Sequence, residues 1–294
     1  MPCFLYLRLY SCCPNGPRGG KKANKKKKSK STVLRRAKEL DLGPKRVIRK
    51  LHLDPEKKAG RKAWGEKHRR ISKRTWEVKC LAIDEKRFKY HTSAKARRMA
   101  RMMKKRLVWR KSSEGVTYAA PDRYKHRQGE VGFHVMLGTG NGKVQAVVGL
   151  PSRLSGALYA EQVKKTLAPK LRKMGEGAFL LRDGDPGSHN TKKGLKAEKD
   201  AKIKVKPQAS YSPDCNPDDI HHWDWAERQL LDEERQWESK HPGEYYKETF
   251  EEFETRVLKW CKALPADLIR STARSLHRRC KELTENGGNW VSGD

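Results

Sequence analysis

The chain has 294 residues, 35% of them hydrophobic, and its 68 lysines and arginines outnumber 35 aspartates and glutamates to give a net charge of +33. This hydrophobic content is enough for one sizeable core, but part of the chain is expected to stay unpacked. The positive charge favours a polyanionic partner, most commonly nucleic acid. Seven scattered cysteines exclude a disulfide framework and a zinc finger, and no stretch reaches transmembrane length, so no membrane partner is predicted.

The first 30 residues are predicted to be a disordered basic tail. Residues 1–13 are apolar, but Arg8 interrupts the run and the positive charge follows it, which does not fit a signal peptide. The lysines between Lys21 and Lys30 repel one another and cannot form a core. This block is either a solvated tail or a nuclear import signal and DNA-gripping arm, and the second interpretation predicts a protein of the nucleus.

Residues 31–75 are predicted to contain a partial helix-turn-helix unit and a linker helix. Ser31 or Thr32 can cap a first helix, and Gly43-Pro44 ends it before a second basic segment at residues 45–53. Such a pair could place a helix in a DNA major groove, and an amphipathic helix with a solvated face is an equally good interpretation. The candidate DNA-contacting residues are Arg35, Arg36, Lys45, Arg46, Arg49 and Lys50.

Residues 76–294 are predicted to form one α/β domain with a mixed sheet flanked by helices. The predicted strands lie at residues 78–83, 107–110, 131–137, 144–150, 178–181 and 203–206, and the predicted helices at 155–174, 190–200, 218–237, 245–263 and 265–284. The very basic residues 86–106 are predicted to be a helical insertion. The glycine run at 138–142 lacks a Gly-Lys-Ser/Thr ending, so a hairpin turn is favoured over a phosphate loop.

Three aspartates stand at element boundaries: Asp84 at the end of the first strand, Asp183 at the end of a later strand, and Asp219 at the start of a helix. Strand ends on one edge of an open sheet can converge in space. Converging carboxylates repel unless a hard cation lies among them, and two such ions about 4 Å apart can promote phosphodiester cleavage. Each aspartate alone also fits an ordinary structural role, and their joint occurrence favours a metal site.

Three segments around these aspartates carry a family resemblance: Ile83-Asp84-Glu85-Lys86-Arg87-Phe88, then Arg182-Asp183-Gly184-Asp185-Pro186 with His189, and Ser212-Pro213-Asp214-Cys215-Asn216-Pro217-Asp218-Asp219 followed by Trp223. They resemble the three catalytic blocks of mariner-superfamily DDE transposases, the enzymes of cut-and-paste DNA transposons. Comparable features of that family also match Trp76, Val108-Trp109-Arg110, the hairpin, Arg278-Arg279 and Gly287-Gly288. The resemblance covers roughly residues 31–294.

The resemblance implies a ribonuclease H-like fold and a DNA transposase. Asp84, Asp183 and Asp219 would then be the catalytic and metal-binding residues, holding two Mg²⁺ (or Mn²⁺) ions. The implied activity is metal-dependent DNA strand cleavage and strand transfer. The implied partners are double-stranded DNA, namely transposon terminal inverted repeats and target DNA, and a second copy of the chain in a homodimer on DNA.

The sequence also departs from the family pattern. Asp219 follows Asp183 by 36 positions, one more than the family's usual spacing, and Asp218 would restore that spacing. The extra residue at Gly187-Ser188 accounts for the difference and favours Asp219 as the third ligand. Gly184 stands where the family often has Asn. Only the end of the second helix-turn-helix unit is recognisable, which suggests a truncated amino terminus. A catalytically inactive, transposase-derived DNA-binding protein and a basic RNA-associated protein remain the alternative functions.

Overall fold

The computed structural model describes residues 30–46, 48–49, 53–91, 107–111, 118–119 and 131–291, with side chains described for 34–43, 53–91 and 131–291. The basic tail, Lys50 and most of the predicted insertion at 86–106 lie outside the described residues. The chain divides into two compact units, Met1–Lys45 with Leu107–Gly115, and Arg46–Arg106 with Val116–Asp294. The domain boundaries predicted at residues 30 and 75 stay predictions.

The smaller unit contains helix α1 (Lys30–Glu39) and strand β1 (Leu42–Arg46), which pairs with β4 (Leu107–Lys111). The second helix predicted at residues 45–53 is wrong, because β1 and β2 (Ile48–Arg49) are extended in this segment. Pro44 disfavours helical backbone at the residue before it, and the β-branched Val47 and Ile48 favour strands. No second helix of a helix-turn-helix unit is therefore present among residues 30–46 and 48–49.

A five-stranded mixed sheet forms the centre of the larger unit, with β3 (Cys80–Lys89) in the middle. On one side β3 pairs antiparallel with β6 (Gly132–Gly140), which pairs antiparallel with β7 (Lys143–Leu150). On the other side β3 pairs parallel with β8 (Phe179–Arg182), and β8 pairs parallel with β9 (Val205–Pro207). Strands β2 and β5 (Tyr118–Ala119) form a separate short parallel pair. The predicted mixed sheet is confirmed.

Helices cover both faces of this sheet. The described helices of the larger unit are α2 (Pro55–His68), α3 (Lys73–Lys79), α4 (Gly156–Gln162), α5 (Ala168–Lys173), α6 (Lys192–Asp200), α7 (Trp223–Lys240), α8 (Phe250–Lys262) and α9 (Ala266–Glu285). A π-helical turn (Val163–Leu167) joins α4 to α5, and a second one (Asp218–His222) precedes α7. None of the helices described is long and apolar enough to cross a membrane.

The alternation of side chains along β3 divides the core into two layers. Leu81 and Ile83 face a cluster formed with α4, α5 and α6, whereas Cys80 and Ala82 face the opposite side, which is covered by α2, α3 and α9. The described cysteines, Cys80, Cys215, Cys261 and Cys280, are buried free thiols in this opposite layer. The two layers fix the orientation of every residue on the central strand.

Two boundary predictions on the central strand are wrong. Residues 78 and 79 end α3, whose first turn is capped by the Ser72 side chain, so β3 begins only at Cys80. The strand also continues through the charged residues as far as Lys89, because Lys86–Lys89 pair with the first strand of the hairpin. Asp84 consequently lies in the middle of the strand instead of at its end. The hairpin turn is confirmed, with Asn141 and Gly142 at φ of 51° and 66°.

Candidate active site

Asp84 and Asp183 are brought to the same level of the sheet by the parallel pairing of β3 and β8. In this register Ala82 lies opposite Leu181, and each aspartate follows two residues later on its own chain segment. Equal spacing from a paired position places both residues side by side, with their side chains on the same face. The Asp183 side chain is 45% exposed, so the position is open to a large solute.

Asp219 completes a carboxylate cluster with Asp84. The charge of Asp219 acts on the Asp84 carboxyl group, and the charges of both Asp218 and Asp183 act on Asp219. Many protein atoms surround Asp219 although part of its surface reaches solvent, and this desolvation, followed by the Asp218 charge, raises the Asp219 pKa to about 6. Burial, followed by the Asp219 charge, raises the pKa of Asp84 well above its usual range. Repulsion within this pair favours a shared proton or a cation.

Trp223 holds the Asp84 side chain in place. Its indole Nε1 donates a hydrogen bond of 2.6 Å to Asp84 Oδ2, and its ring packs edge-on against Phe88 at a centroid distance of 5.8 Å. Lys86 lies beside the same ring and forms an ion pair of 3.0 Å with Glu227. Its positive charge lowers the Asp219 pKa and supplies a cation at the edge of the cluster.

Asp183 is oriented by a buried histidine. His189 Nδ1 lies 2.5 Å from Asp183 Oδ1, and His189 Nε2 lies 3.3 Å from Glu85 Oε1. Burial lowers the His189 pKa, but the hydrogen bond to Asp183 and the nearby Glu85 carboxylate outweigh it and raise the value to about 9. For Asp183, burial raises the pKa, and the hydrogen bond to His189 more than reverses this effect. His189 thus links the two acidic segments through one imidazolium ring.

Asp218 and Asp219 are adjacent but lie in different environments. Asp218 is completely buried, accepts a hydrogen bond from Thr139 Oγ1 at 3.1 Å, and lies 2.7 Å from His222 Nδ1. Burial raises its pKa although both partners lower it. The π-helical turn lets one aspartate face the core while the next reaches the surface cluster. Of the two positions that the spacing left open, Asp219 is the one beside Asp84.

A buried arginine anchors the segment that precedes Asp219. Arg61 on α2 is 0% exposed and forms a bidentate pair with Asp214 at 2.8 and 2.6 Å. The same guanidinium donates to Tyr211 O, Ser212 Oγ, Gly288 O and Asn289 O. The Asp214 carboxylate also accepts from Val291 N at 2.9 Å. One side chain therefore joins α2, the loop before Asp219 and the segment that follows α9.

Gly288 shows how tightly this anchor is packed. Its φ is +81°, and a Cβ atom there would lie 1.9 Å from the Lys58 carbonyl oxygen, whereas Gly287 has a φ of +68° and open space around it. We expect Gly288→Ala to lower the free energy of unfolding by about 3 kcal/mol and Gly287→Ala by about 1 kcal/mol, since only the first adds a backbone clash to the positive-φ cost. Urea unfolding of both variants measures the difference, and equal losses would contradict the packing.

The carboxylate cluster fits a hard divalent cation by its chemistry. Carboxylate oxygens are the ligands that Mg²⁺ and Mn²⁺ prefer, and the mutual repulsion of Asp84 and Asp219 is the condition that such a cation relieves. In the part of the chain that the structure describes, no group of three or more His, Cys, Asp or Glu side chains is arranged to hold a metal ion. Asp84 and Asp183 are instead directed at the Trp223 indole and the His189 ring.

The residues predicted to contact DNA are described only in part. Arg35 and Arg36 are exposed on α1 and pair with Glu39 at 4.0 and 2.8 Å. Lys45 and Arg46 lie in β1 and Arg49 in β2, but their side chains, like the whole of Lys50, are outside the described residues. Arg61, Thr139 and His222 were not predicted from the sequence as parts of the site, and Glu85 and His189 had no predicted role beyond the family resemblance. The sequence signal available for the role of His189 was its position, six residues after Asp183.

The order and directions of the five strands, with acids on β3 and after β8, define a ribonuclease H-like α/β fold. No family model matches the chain, and no curated protein matches it. Solved structures that share its fold include those of Mos1 mariner transposase. The catalytic domain with raltegravir and Mn is 15% identical, with a TM-score of 0.57 over 82% of this chain and 99% of that chain.

Two DNA assemblies of the same transposase extend the likeness. The paired-end complex with the left transposon end is 19% identical, and the pre-cleavage transpososome is 18% identical. Each has a TM-score of 0.60 and covers 90% of this chain and 72% of that chain. The protein therefore has the fold of a mariner transposase catalytic domain. The fold class and the family resemblance predicted from the sequence are confirmed at this level.

Proposed function

We propose that the protein is a mariner-type DDE transposase, which cleaves DNA strands at transposon ends and transfers them to target DNA. The observation that supports this proposal is the pairing of β3 with β8, which brings Asp84 and Asp183 to the same level of a ribonuclease H-like sheet, with Asp219 near enough for its charge to act on Asp84. The similar structures support it, since those of Mos1 transposase include a complex with a transposon end and catalytic domains with Mn and with Mg.

In this proposal Asp84, Asp183 and Asp219 hold two divalent cations, Mg²⁺ or Mn²⁺. When bound, the ions would supply Lewis-acid activation of the attacking hydroxyl and stabilisation of the leaving oxygen. The chain's own residues orient the carboxylates: Trp223 holds Asp84, and His189 holds Asp183. The accessible face of the cluster then admits a DNA phosphate, and the +33 net charge of the chain favours its approach.

The proposed partners are double-stranded DNA and a second copy of the chain. Paired-end complexes of Mos1 transposase motivate the homodimer on DNA, because two transposon ends are held in one such assembly. Arg35, Arg36, Lys45, Arg46, Arg49 and Lys50 are proposed to contact the DNA backbone, which gives affinity with little sequence information. The lysine-rich segment of the first 30 residues motivates the proposal that the protein acts in the nucleus.

The test is cleavage of a plasmid that carries the element's terminal repeats, in Mg²⁺ or Mn²⁺. We expect wild type to nick it, and Asp84→Asn and Asp183→Asn to lose about 10³-fold or more of the rate, because each removes a cation ligand. Asp200→Asn is the matched control, since Asp200 is an exposed aspartate paired with Lys196 at 2.7 Å.

Undiminished cleavage by both ligand variants would overturn the proposal. Duplex binding without cleavage on any substrate would instead favour the inactive, transposase-derived DNA-binding protein. Preference for structured RNA over duplex DNA at equal salt would favour an RNA-associated protein.

A further inference from the structure

A row of cations lies far from the carboxylate cluster, where the junction of α2 and α3 meets α9. Arg270, Arg274 and Lys281 occupy positions i, i+4 and i+11 of α9 and therefore share one face of that helix. Arg69, Arg70 and Arg74 approach from the end of α2 and the start of α3, which both pack on α9. We call these six residues the basic groove.

The groove contains an open cavity. A volume of about 410 Å³ is lined by Arg69, Arg70, Lys281, Thr284 and Glu285. Among the described residues, Arg69, Arg70 and Lys281 form no ion pair. All three cations that line the cavity therefore lack a carboxylate partner, and Glu285 is the one acid in the lining. Unpaired cations around a concave, solvent-filled space are suited to bind an anionic ligand.

A buried carboxylate organises the other half of the groove. Glu77 is 5% exposed, and Arg274 Nε donates to it at 2.8 Å. Arg74 and Arg270 approach the same carboxylate at 3.6 and 3.9 Å, while Asp267 pairs with Arg270. Three guanidinium groups around one buried acid keep an excess of positive charge and a fixed arrangement, which favours phosphate recognition because Arg binds phosphate through paired hydrogen bonds.

The groove is separate from the carboxylate cluster. Asn141 N donates to Glu77 O, and Gly142 contacts the Arg270 side chain, so the groove lies at the hairpin-turn end of the sheet. Asp84 is four residues along β3 from Cys80, which begins the strand directly after α3, and this corresponds to about 13 Å along the strand. A phosphate bound in the groove is therefore not the phosphate at the carboxylates.

We propose that the basic groove is a second DNA-binding surface, which grips the phosphate backbone of a duplex away from the reacting phosphate. The row from Arg270 to Lys281 is about 16 Å long at the helical rise. One strand of a duplex presents a phosphate every 3.4 Å along its axis, so a row of this length can reach more than one phosphate of the winding backbone. No aromatic side chain lines the cavity among the described residues, which disfavours the base stacking of single-stranded partners. The choice of DNA over RNA rests on the proposed function.

The test measures binding of a 30-base-pair duplex by fluorescence anisotropy over a series of NaCl concentrations in EDTA. The groove variant is Arg69→Gln/Arg70→Gln/Lys281→Gln in the full chain. The control variant, Lys164→Gln/Arg172→Gln/Lys173→Gln, removes three exposed cations from the α4–α5 layer on the opposite face of the sheet. Both variants change only exposed side chains, and thermal unfolding checks that both remain folded.

We expect the groove variant to bind the duplex on the order of tenfold or more weakly. The slope of log K against log[NaCl] should become less steep by up to about 2.7, since each phosphate contact contributes about 0.9 to it. The control variant should stay within about threefold of wild type. A Thr284→Cys variant that carries a photo-crosslinker should also attach to the duplex. Equal losses in the two triple variants, absence of crosslinking, or a larger loss for duplex RNA than for DNA would overturn the inference.

The binding test of the groove is independent of the cleavage test of the proposed function, because EDTA removes the cations that cleavage needs. Weak DNA binding by the groove variant, together with no cleavage by wild type, would support the groove as a DNA-binding surface and reject the transposase activity. Cleavage that depends on the aspartates, together with unchanged binding by the groove variant, would reject only the groove.

Discussion

Asp219→Asn should reduce metal-dependent DNA cleavage by about 10³-fold or more, whereas Asp218→Asn should leave the rate within about tenfold of wild type. The substitutions are identical and adjacent, and each removes one negative charge near Asp84. They differ in what the side chain touches. Asp219 is exposed beside Asp84, while Asp218 is buried and enclosed by Thr139 and His222. Plasmid nicking rates in Mg²⁺ measure the contrast.

The pH dependence of thermal stability gives the Asp219→Asn variant a readout that is independent of cleavage. The folded-state pKa of Asp219, about 6, lies above its ordinary value of 3.8, so the folded protein retains a proton between these pH values. The contribution of Asp219 to stability is therefore present below pH 3.8 and is lost as the pH rises through 6. In EDTA, Asp219→Asn should melt at a higher temperature than wild type at pH 7.5, and this advantage should shrink towards pH 4. Loss of cleavage in Asp218→Asn alone would assign the third ligand to Asp218.

Arg61→Met should lower the free energy of unfolding by about 3–5 kcal/mol, because it leaves the Asp214 carboxylate largely buried without its cation. The Asp214 side chain is 11% exposed, and Arg61 also satisfies three backbone carbonyls and the Ser212 hydroxyl. Urea unfolding of the full chain, followed by tryptophan fluorescence, measures the loss. Cleavage should fall as well in conditions where the variant is folded, since the anchored loop carries Asp219.

Two controls separate the buried pair from a general effect of charge. Lys62→Met removes the neighbouring cation, which is 48% exposed and lies 3.8 Å from Glu66, and it should cost less than about 0.5 kcal/mol. The double variant Arg61→Met/Asp214→Asn should lose less than the sum of the single losses, because neither variant group is then a buried unpaired charge. Additive losses would show that the Arg61–Asp214 pair does not act as a unit.

The sequence predicts the elements that depend on local pattern. The apolar strand before Asp183, the hairpin with its glycine-containing turn and the three long closing helices follow from periodicity and turn residues. Asp84 and Asp183 could be recognised for the same reason, since each follows an apolar run, whereas Asp219 is recognised by its position at the start of a predicted helix. Prediction was wrong at residues 45–46 and 48–49, where basic residues fit a helix but extended pairing occurs, and at Asp84, where charged residues continue a strand because β6 pairs with them.

The contacts that complete the site could not be predicted, because they join residues far apart in the chain. Arg61 meets its partners 150 to 228 positions later, and Thr139 reaches Asp218 across 79 positions. A basic residue in a chain of net charge +33 gives no local sign that it will be buried. His189 lies close to Asp183 in sequence, but its second contact, with Glu85, depends on the sheet.

The π-helical turn at Asp218–His222 affects how related reading frames should be compared. A turn of this kind accommodates one additional residue without changing the helix that follows it, so the number of residues between an acid and Trp223 can differ between related chains while the contacts stay the same. In this chain the exposed aspartate lies four positions before Trp223, which is bonded to Asp84. Related chains should therefore be aligned by the contacts of each residue, and not by residue counts alone.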